Sequence, residues 1–167
     1  MSKPFVAIVM GSDSDLPVME ASFDVFRTFG VSFEARITSA HRTPEATKAY
    51  VQDAEQRGCA VFIAAAGMAA HLAGAVAAAT VNPVIGVPMN ASLDGLDALL
   101  STVQMPAGIP VATVAIGKAG AKNAAYLAAQ ILSLADEPLA QRLQDERAAN
   151  AQEIYARDAA LQEKLKG

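Results

Sequence analysis

The stretch Phe5 to Asp15, FVAIVMGSDSD, contains the transition that decides the fold. Its first six residues form a continuous apolar run with β-branched side chains, which is typical of a strand buried on both faces. Gly11 ends the run, and the small and acidic residues after it are typical of a loop that opens a helix. Leu16 to Phe29 then spaces its apolar residues mostly three and four positions apart, with Gly30 as a helix stop. This segment therefore predicts a strand, a loop and a helix.

The same unit recurs along the chain. Further strands are predicted at Ser32 to Ile37, Ala60 to Ala65, Val84 to Val87 and Val111 to Ile116. Further helices are predicted at Pro44 to Gln56, around His71 to Thr80 and near Leu93 to Gln104, with two more after the last strand. Short apolar strands that alternate with helices pair in parallel through right-handed crossovers, so the fold class is α/β, a three-layer sandwich. We expect a flavodoxin-like parallel sheet of about five strands.

The composition is that of one folded domain. A chain of 167 residues suits a single hydrophobic core, so residues 1 to 167 are interpreted as one α/β domain. Hydrophobic residues make up 53% of the chain and charged residues 18%, which excludes intrinsic disorder. A net charge of -4 without a basic stripe argues against a nucleic-acid partner, because phosphate backbones would be repelled.

Cysteine usage and the first residues indicate the compartment. Cys59 is the single cysteine, so it has no internal disulfide partner, and a reducing compartment fits best. The apolar run within Met1 to Met10 is too short for the core of a secretory signal. We therefore expect a cytoplasmic protein.

One long uncharged stretch raises the question of a membrane span. From Cys59 to Val81 the only residue that could carry a charge is His71. The stretch is dominated by alanine and is interrupted by Gly67 and Gly74, whereas spanning helices are rich in larger apolar residues. A buried strand followed by a buried helix explains it better, and no membrane partner is expected.

The segment from Glu137 to Lys166 differs from the rest in its many charges. Its large aliphatic residues are Leu139, Leu143, Ile154, Leu161 and Leu165. This pattern predicts a long, partly exposed C-terminal helix. No sheet face is obviously left for it to cover, so its apolar stripe is expected to pack on a neighbouring subunit. The alternative is a frayed amphipathic tail on its own domain.

Three loops that could bind a ligand are predicted at one edge of the sheet. They are Gly11 to Asp15, Ser39 to Thr43 and Ala66 to Ala70, and each follows one of the first three strands. In parallel α/β sheets, ligands bind beyond the carboxyl ends of the strands, near the point where the strand order reverses. The three loops could therefore line one pocket.

The first loop has the features of an anion site. Its backbone N–H groups and the positive end of the following helix dipole favour a phosphate. The alternative is structural: Ser14 or Asp15 caps the helix, and Gly11 permits the turn. The loop is neither a Walker loop nor a dinucleotide-binding pattern, because it lacks Gly-Lys-Ser/Thr and three spaced glycines.

The second loop combines a proton carrier with a cation. His41 stands between Ser39 and Arg42, which can hydrogen-bond or hold a charged ligand. Imidazole titrates near neutral pH, which suits proton transfer. We therefore interpret Arg42 as the anion holder and His41 as the group that moves a proton.

The third loop is built from small residues around a second histidine. Gly67 and the alanines would let the backbone approach a bound ring, and N–H groups at the helix start could meet a carboxylate. The alternative is a tight strand-helix turn in which His71 is a partly buried polar residue. Two histidines without a convergent cluster of acidic or histidine side chains do not make a metal site, so none is assigned.

Read together, these segments resemble the PurE family of purine biosynthesis. The resemblance rests on Gly11 to Asp15, Ser39 to Pro44, Gly67 to Gly74, Pro83 to Pro88 and Val103 to Pro106, and the Gln-Met-Pro segment is similar to class I. It extends from the first strand to about Leu143. It implies N5-carboxyaminoimidazole ribonucleotide mutase activity without metal, biotin or ATP, and it implies a homo-octamer.

The resemblance also implies roles for individual residues. His41 would be the general acid and base, with Ser12 and Arg42 near the phosphate and Asp15 toward the ribose. The substrate-binding residues that it implies are Ser12, Asp15, Ser39, Arg42, Gly67, Ala70, His71 and Leu72. Met68 stands where the family often has a second Gly, and Ala73 where it often has Pro, so pocket shape and loop rigidity are expected to differ.

Two other functions stay open at this point. The first is direct carboxylation of aminoimidazole ribonucleotide by carbon dioxide, as in class II relatives. The second is a non-catalytic nucleotide-binding or regulatory module, which the phosphate loop alone would suit. Substrate preference separates the two enzymes, and a complete lack of chemistry would indicate the module.

Overall fold

The computed structural model describes residues 3 to 166, and its strands and helices alternate along the chain. The strands are β1 (Phe5–Met10), β2 (Phe33–Ile37), β3 (Cys59–Ala66), β4 (Val84–Pro88) and β5 (Ala112–Thr113). The helices are α1 (Leu16–Phe29), α2 (Pro44–Gln56), α3 (Leu72–Ala77), α4 (Leu96–Val103), α5 (Gly117–Ser133) and α6 (Glu137–Lys166). Met1, Ser2 and Gly167, the ends of the predicted domain, lie outside the described residues.

The five strands form one parallel sheet in the order β2-β1-β3-β4-β5. This is the predicted flavodoxin-like order, in which the chain reverses direction across the sheet between β1 and β3. Ile8 of β1 lies opposite Ile63 of β3, and both side chains are fully buried. Because β1 and β3 are covered on both faces, their sequences are continuous apolar runs.

Two hydrophobic clusters cover the two faces of the sheet and give the predicted three layers. One cluster joins β1 and β3 to α1, α5 and the first turns of α6, with Phe26, Phe29 and Leu139 buried in it. The other joins the opposite face to α2 and α3 and includes Val51 and Val76. The stretch considered for a membrane span is β3 followed by α3, both largely buried. None of the helices within residues 3 to 166 is both long enough and apolar enough to cross a bilayer.

The last strand is much shorter than predicted. Val111 to Ile116 was expected to be extended, but only Ala112 and Thr113 pair with β4. The N–H of Val114 donates to the carbonyl of Gly86 at 3.1 Å, which is the end of the ladder. The next donor on β4 would be Pro88, which has no N–H, so the pairing cannot continue.

Two helices begin later than predicted. The helix expected near Leu93 begins at Leu96, because Leu93 and Asp94 have φ values of 45° and 54° and Gly95 has 82°. These left-handed conformations are incompatible with a continuous right-handed helix. The helix expected around His71 to Thr80 is Leu72–Ala77, since the residues before it are held in a tight turn.

Helix α6 has two different halves. Near its start, Leu139 is buried and the Nε of Arg142 donates to the carbonyl of Phe29 at 3.2 Å. The hydroxyl of Tyr126 on α5 donates to Glu146 at 2.6 Å. From 147 to 166 every residue is exposed. The first turns therefore cover the α1 and α5 layer, which the sequence reading had not assigned to them, and the distal turns are exposed.

Candidate active site

A cleft of about 450 Å³ opens at the carboxyl ends of the strands. The loops after β1, β2 and β3 line it, as predicted, and the loop after β4 closes one side through Ala91. Of the residues singled out in the sequence, the cleft wall contains Ser12, Asp15, Ser39, His41, Arg42, Gly67, His71 and Leu72. The cleft therefore lies at the switch point between β1 and β3.

The loop after β1 is organised by Ser12, and not by Ser14 or Asp15 as in the structural alternative. The Ser12 Oγ accepts from the backbone N–H of Ser14 at 3.2 Å, while the Ser12 N–H donates to the Asp15 carboxylate at 3.2 Å. This reciprocal arrangement is a capping box on a short 3-10 turn, Asp13–Asp15, that precedes α1. Asp15 is still the residue before α1, but its side chain makes no cap bond to that helix. The side-chain cap lies at Ser12 because the 3-10 turn stands between the loop and α1.

Asp15 lies in an environment that disfavours its charge. Partial burial raises the pKa of its carboxyl, and the nearby Asp13 carboxylate raises it further. The backbone N–H groups of Ser12 and Gly11 act in the opposite direction without cancelling the effect of burial. A carboxylate of this kind gains from a ligand that can donate hydrogen bonds to it, such as a hydroxyl group.

The loop after β2 is held by side-chain to backbone hydrogen bonds. The N–H of Ser39 donates to Thr43 Oγ1 at 3.0 Å, and the N–H of Arg42 donates to Ser39 Oγ at 3.1 Å. These bonds turn His41 and Arg42 toward the cleft. The Arg42 Nη2 donates to the carbonyl of Gly11 at 3.4 Å, which brings the guanidinium to the same loop as Ser12. A guanidinium carries five donors, so most of them are left for an anion.

The two histidines of the chain meet in the cleft. His41 Nε2 and His71 Nδ1 are 2.7 Å apart, and the two rings stand edge to face with centroids 4.9 Å apart. At this distance one nitrogen donates and the other accepts. His41 Nδ1 and His71 Nε2 have no hydrogen-bond partner within residues 3 to 166. His71 is exposed on the cleft wall and not partly buried, although the residues before it do form the tight turn of the structural alternative.

The loop after β3 is pressed against the loop after β4. A Cβ added to Gly67 would lie 3.2 Å from Ala91 Cβ and 3.5 Å from Met89 Cβ, so only glycine fits without displacement. The next residue, Met68, has φ 56°. The left-handed region costs a residue with a side chain about 1 kcal/mol or more. Glycine would adopt this conformation at Met68 without that cost.

Ala70 is the one predicted site residue that the structure does not bring to the cleft wall. Its side chain is buried, and its N–H donates to the carbonyl of Met68 at 2.9 Å. The N–H of His71 likewise donates to the carbonyl of Ala69 at 2.8 Å. These two N–H groups are therefore engaged within the loop itself. Leu72 lines the cleft although it is almost fully buried.

Sequence reasoning missed Ala91. It belongs to the loop after β4, and its position just beyond the carboxyl end of a central strand was the signal that could have found it. Ser14 was considered only as a helix cap, but it also lines the cleft, and its Oγ lies 2.9 Å from Ser12 Oγ.

The described residues support neither a metal centre nor a cysteine nucleophile. No three His, Cys, Asp or Glu side chains within residues 3 to 166 converge as a metal-binding group. Cys59 is buried, and burial raises the pKa of its thiol to about 11, so little thiolate forms at neutral pH. Cys59 therefore behaves as the small core residue expected from the sequence.

Comparison with known proteins shows the family to which this chain is similar. Residues 5–153 match the family model described as AIR carboxylase. A protein of Methanocaldococcus jannaschii named N5-carboxyaminoimidazole ribonucleotide mutase is 50% identical over 161 residues, which is 96% of this chain and 99% of the relative. A Brucella melitensis protein of the same name is 54% identical over 153 residues, covering 91% and 94% of the two chains. The crystal structure of Treponema denticola PurE matches with a TM-score of 0.86 at 35% identity, over 95% of this chain and 98% of that one.

Proposed function

This chain belongs to the AIR carboxylase family, and we propose that it converts N5-carboxyaminoimidazole ribonucleotide to 4-carboxyaminoimidazole ribonucleotide in purine biosynthesis. The observation that carries the proposal is the identity of about half of all residues, over nearly the full length, with relatives named for this mutase. The cleft that joins His41, His71 and Arg42 supports it, because the reaction needs a proton carrier beside an anion site.

The ribonucleotide phosphate is assigned to the end of the cleft formed by Ser12 and Arg42. The guanidinium of Arg42 already lies at the Gly11 carbonyl, so it can turn its remaining donors to a phosphate above the loop. Asp15 is assigned to the ribose hydroxyls, which can donate to its carboxylate. Ser39 orders the loop through its bond to the Arg42 N–H. This orientation directs the aminoimidazole ring toward the two histidines.

His41 is assigned as the general acid and base. In the first step the N–C bond to the carboxylate breaks, carbon dioxide leaves, and the exocyclic nitrogen keeps the electron pair and takes a proton from His41. In the second step the ring carbon attacks the carbon dioxide and its proton returns to His41. The histidine ends in its starting state, so the net reaction is an isomerisation that consumes no other reactant.

His71 is assigned to the orientation of the His41 ring. The hydrogen bond between the rings occupies His41 Nε2, which leaves Nδ1 as the nitrogen available to the substrate. Because the His41 ring is already held in place, little entropy is lost when a proton is transferred at Nδ1. His71, at Nε2, can exchange the donor and acceptor roles of its hydrogen bond as the charge on His41 changes.

Carbon dioxide must stay near the ring between the two steps. Recapture in a closed site replaces a bimolecular encounter with an intramolecular one, whose effective molarity can reach roughly 10⁵ M. The segment from Gly67 to Gly74 offers a wall of small apolar residues for this purpose, with Gly67 and Leu72 on the cleft surface. Exclusion of water also keeps the gas from being hydrated.

The protein is assigned to the cytoplasm and to a homo-oligomer, which the family resemblance implies is an octamer. The distal turns of α6 support an assembly, because Ile154, Leu161 and Leu165 are 58%, 51% and 71% exposed. Apolar residues aligned on one exposed helix are stabilised when a neighbouring subunit covers them.

The experiment offers two substrates to the wild type and to His41→Asn. Freshly generated N5-carboxyaminoimidazole ribonucleotide is supplied at low bicarbonate, and aminoimidazole ribonucleotide is supplied separately at high bicarbonate, with product absorbance followed in both. Conversion of the first substrate alone, lost in the variant, is the expected result. Efficient conversion of the second at ordinary bicarbonate would indicate the direct carboxylase. Nucleotide binding without conversion of either would indicate a regulatory module.

A further inference from the structure

Met68 combines two unfavourable features at the rim of the cleft. Its backbone is left-handed, with φ 56°, and its side chain is 60% exposed although it is apolar. It also lines the cleft. Strained residues persist where the surrounding structure holds them, and they concentrate at functional sites. The strain at Met68 therefore raises the question of what its side chain does there.

The backbone of Met68 is held on both sides. Before it, Gly67 packs closely against Ala91 and Met89, because a Cβ added to Gly67 would lie only 3.2 Å from Ala91 Cβ and 3.5 Å from Met89 Cβ. The N–H of Met89 donates to the carbonyl of Ala66 at 2.9 Å, which ties the loops after β3 and β4 together. After it, the Met68 carbonyl accepts from Ala70 N–H at 2.9 Å. The loop thus fixes the backbone of Met68 at the cleft, while its side chain stays exposed.

Met68 differs from the other apolar residues of the cleft wall. The rest are alanines, which are too short to cover a ligand, and Leu72, which is only 2% exposed. Among the described residues that line the cleft, Met68 alone has a long apolar side chain that solvent reaches. Its unbranched thioether can adapt its shape to the surface that it covers.

We propose that Met68 folds over the bound ribonucleotide and retains the carbon dioxide released in the first step. This inference rests on the proposed function. After the N–C bond breaks, the gas either is attacked by the ring carbon or escapes, leaving aminoimidazole ribonucleotide as the released product. An apolar cover slows escape and adds nothing to proton transfer by His41. Met68 therefore sets the fraction of turnovers that reach the carboxylated product.

The test uses substrate labelled with ¹³C in the migrating carboxylate, in excess unlabelled bicarbonate. The label in the product and the aminoimidazole ribonucleotide released are measured, and both are corrected for decay without enzyme. Met68→Gly removes the side chain and relieves the backbone, so its Tm should equal or exceed that of the wild type. We expect label loss to rise about threefold or more in Met68→Gly, because an open site exchanges gas with solvent. Met68→Leu should restore retention.

Leu93→Gly is the matched control. Leu93 is also left-handed, with φ 45°, and is 75% exposed, but it does not line the cleft. Its substitution should relieve similar strain and leave label retention unchanged. Equal retention in wild type and Met68→Gly would overturn the inference, as would complete label exchange in the wild type. A wild type that converts no N5-carboxyaminoimidazole ribonucleotide would instead overturn the proposed function.

Discussion

His41 Nε2 and His71 Nδ1 face each other across 2.7 Å, although they are thirty residues apart in the chain. The contact joins the loop after β2 to the loop after β3, on either side of β1. One proton lies between the two nitrogens, so the pair has a defined hydrogen-bond direction at any moment. Two fully protonated rings would present two N–H donors to each other, and the contact would break.

The first prediction concerns His71. His71→Phe keeps a flat ring but removes the nitrogen partner, so kcat should fall about tenfold, the scale of one lost hydrogen bond, with KM little changed. His71→Asn can place an amide group near the former Nδ1 and should recover part of the rate. An unchanged kcat in His71→Phe, or no recovery of rate in His71→Asn, would exclude a positioning role.

The second prediction concerns Asp15, whose pKa is raised chiefly by burial. A carboxyl with a raised pKa in the folded state favours folding at acid pH, and that contribution is lost as the pH rises through the raised value. Asp15→Asn keeps an oxygen for the Ser12 N–H and removes the charge. Its Tm at pH 7 should equal or exceed that of the wild type, and the difference should shrink as the pH falls and the Asp15 carboxyl becomes protonated. KM for the ribonucleotide should rise about 10-fold or more, since a charged acceptor is lost.

The third prediction concerns Glu34 on the edge strand. Arg57 donates two hydrogen bonds to the Glu34 carboxylate, at 2.6 and 3.0 Å. These bonds lower the pKa of the carboxyl, and a smaller contribution comes from the hydroxyl of Tyr50. Partial burial opposes both effects, but the pKa remains below its ordinary value. A lowered pKa adds stability above the ordinary value of 4.5, and that stability is lost as the pH falls through the lower value. Because the pair is partly exposed, Glu34→Gln should cost only about 0.5 to 1 kcal/mol at pH 7 by chemical denaturation.

The control for Glu34 is a more exposed ion pair. Glu153 and Arg157 are 2.6 Å apart on the distal part of α6, with side chains 59% and 68% exposed. Glu153→Gln should change the free energy of unfolding by less than about 0.5 kcal/mol. Equal effects at the two sites, or a Glu34→Gln effect that persists at pH 3, would show that the network does not act through the carboxylate charge.

The fourth prediction concerns the packing of α4 on the sheet. A Cβ on Gly86 would overlap Thr102 Cγ2 and lie 3.0 Å from Val111 Cγ1. Gly86→Ala should therefore lower stability by about 1 to 3 kcal/mol. Thr102→Ser removes Cγ2 and keeps the hydroxyl that donates to the Ala98 carbonyl, so the double variant should recover part of the loss. Gly30→Ala, which is strained by its φ of 64° and has nothing nearby, should not be rescued by Thr102→Ser.

The fifth prediction concerns the distal turns of α6. Deletion of residues 148–166 keeps Leu139, Arg142 and Glu146 in place, so the domain should stay folded by circular dichroism. The mass measured by light scattering should fall, because the exposed stripe is removed. Leu161→Glu with Ile154→Glu should have the same effect in a full-length chain. An unchanged mass in both variants would show that α6 is not part of the assembly.

The regular elements were largely predictable from local pattern. Phe5–Met10, Leu16–Phe29 and Pro44–Gln56 have the bounds that periodicity, glycine and proline indicated. These signals work because burial on two faces or on one helical stripe dictates residue type at each position. The location of the cleft followed as well, since parallel strands end at a common edge.

What the sequence by itself determined was therefore the α/β fold, its strand order and the set of loops that carries His41 and Arg42. Only the tertiary structure decided the contact between His41 and His71 and the Ser12 cap. It also decided the early end of β5, where its pairing with β4 reaches Pro88, and the left-handed backbone of Met68. These features depend on how loops from separate strands meet to within tenths of an ångström. No local pattern carries that information, because it arises from the packing of the whole sheet.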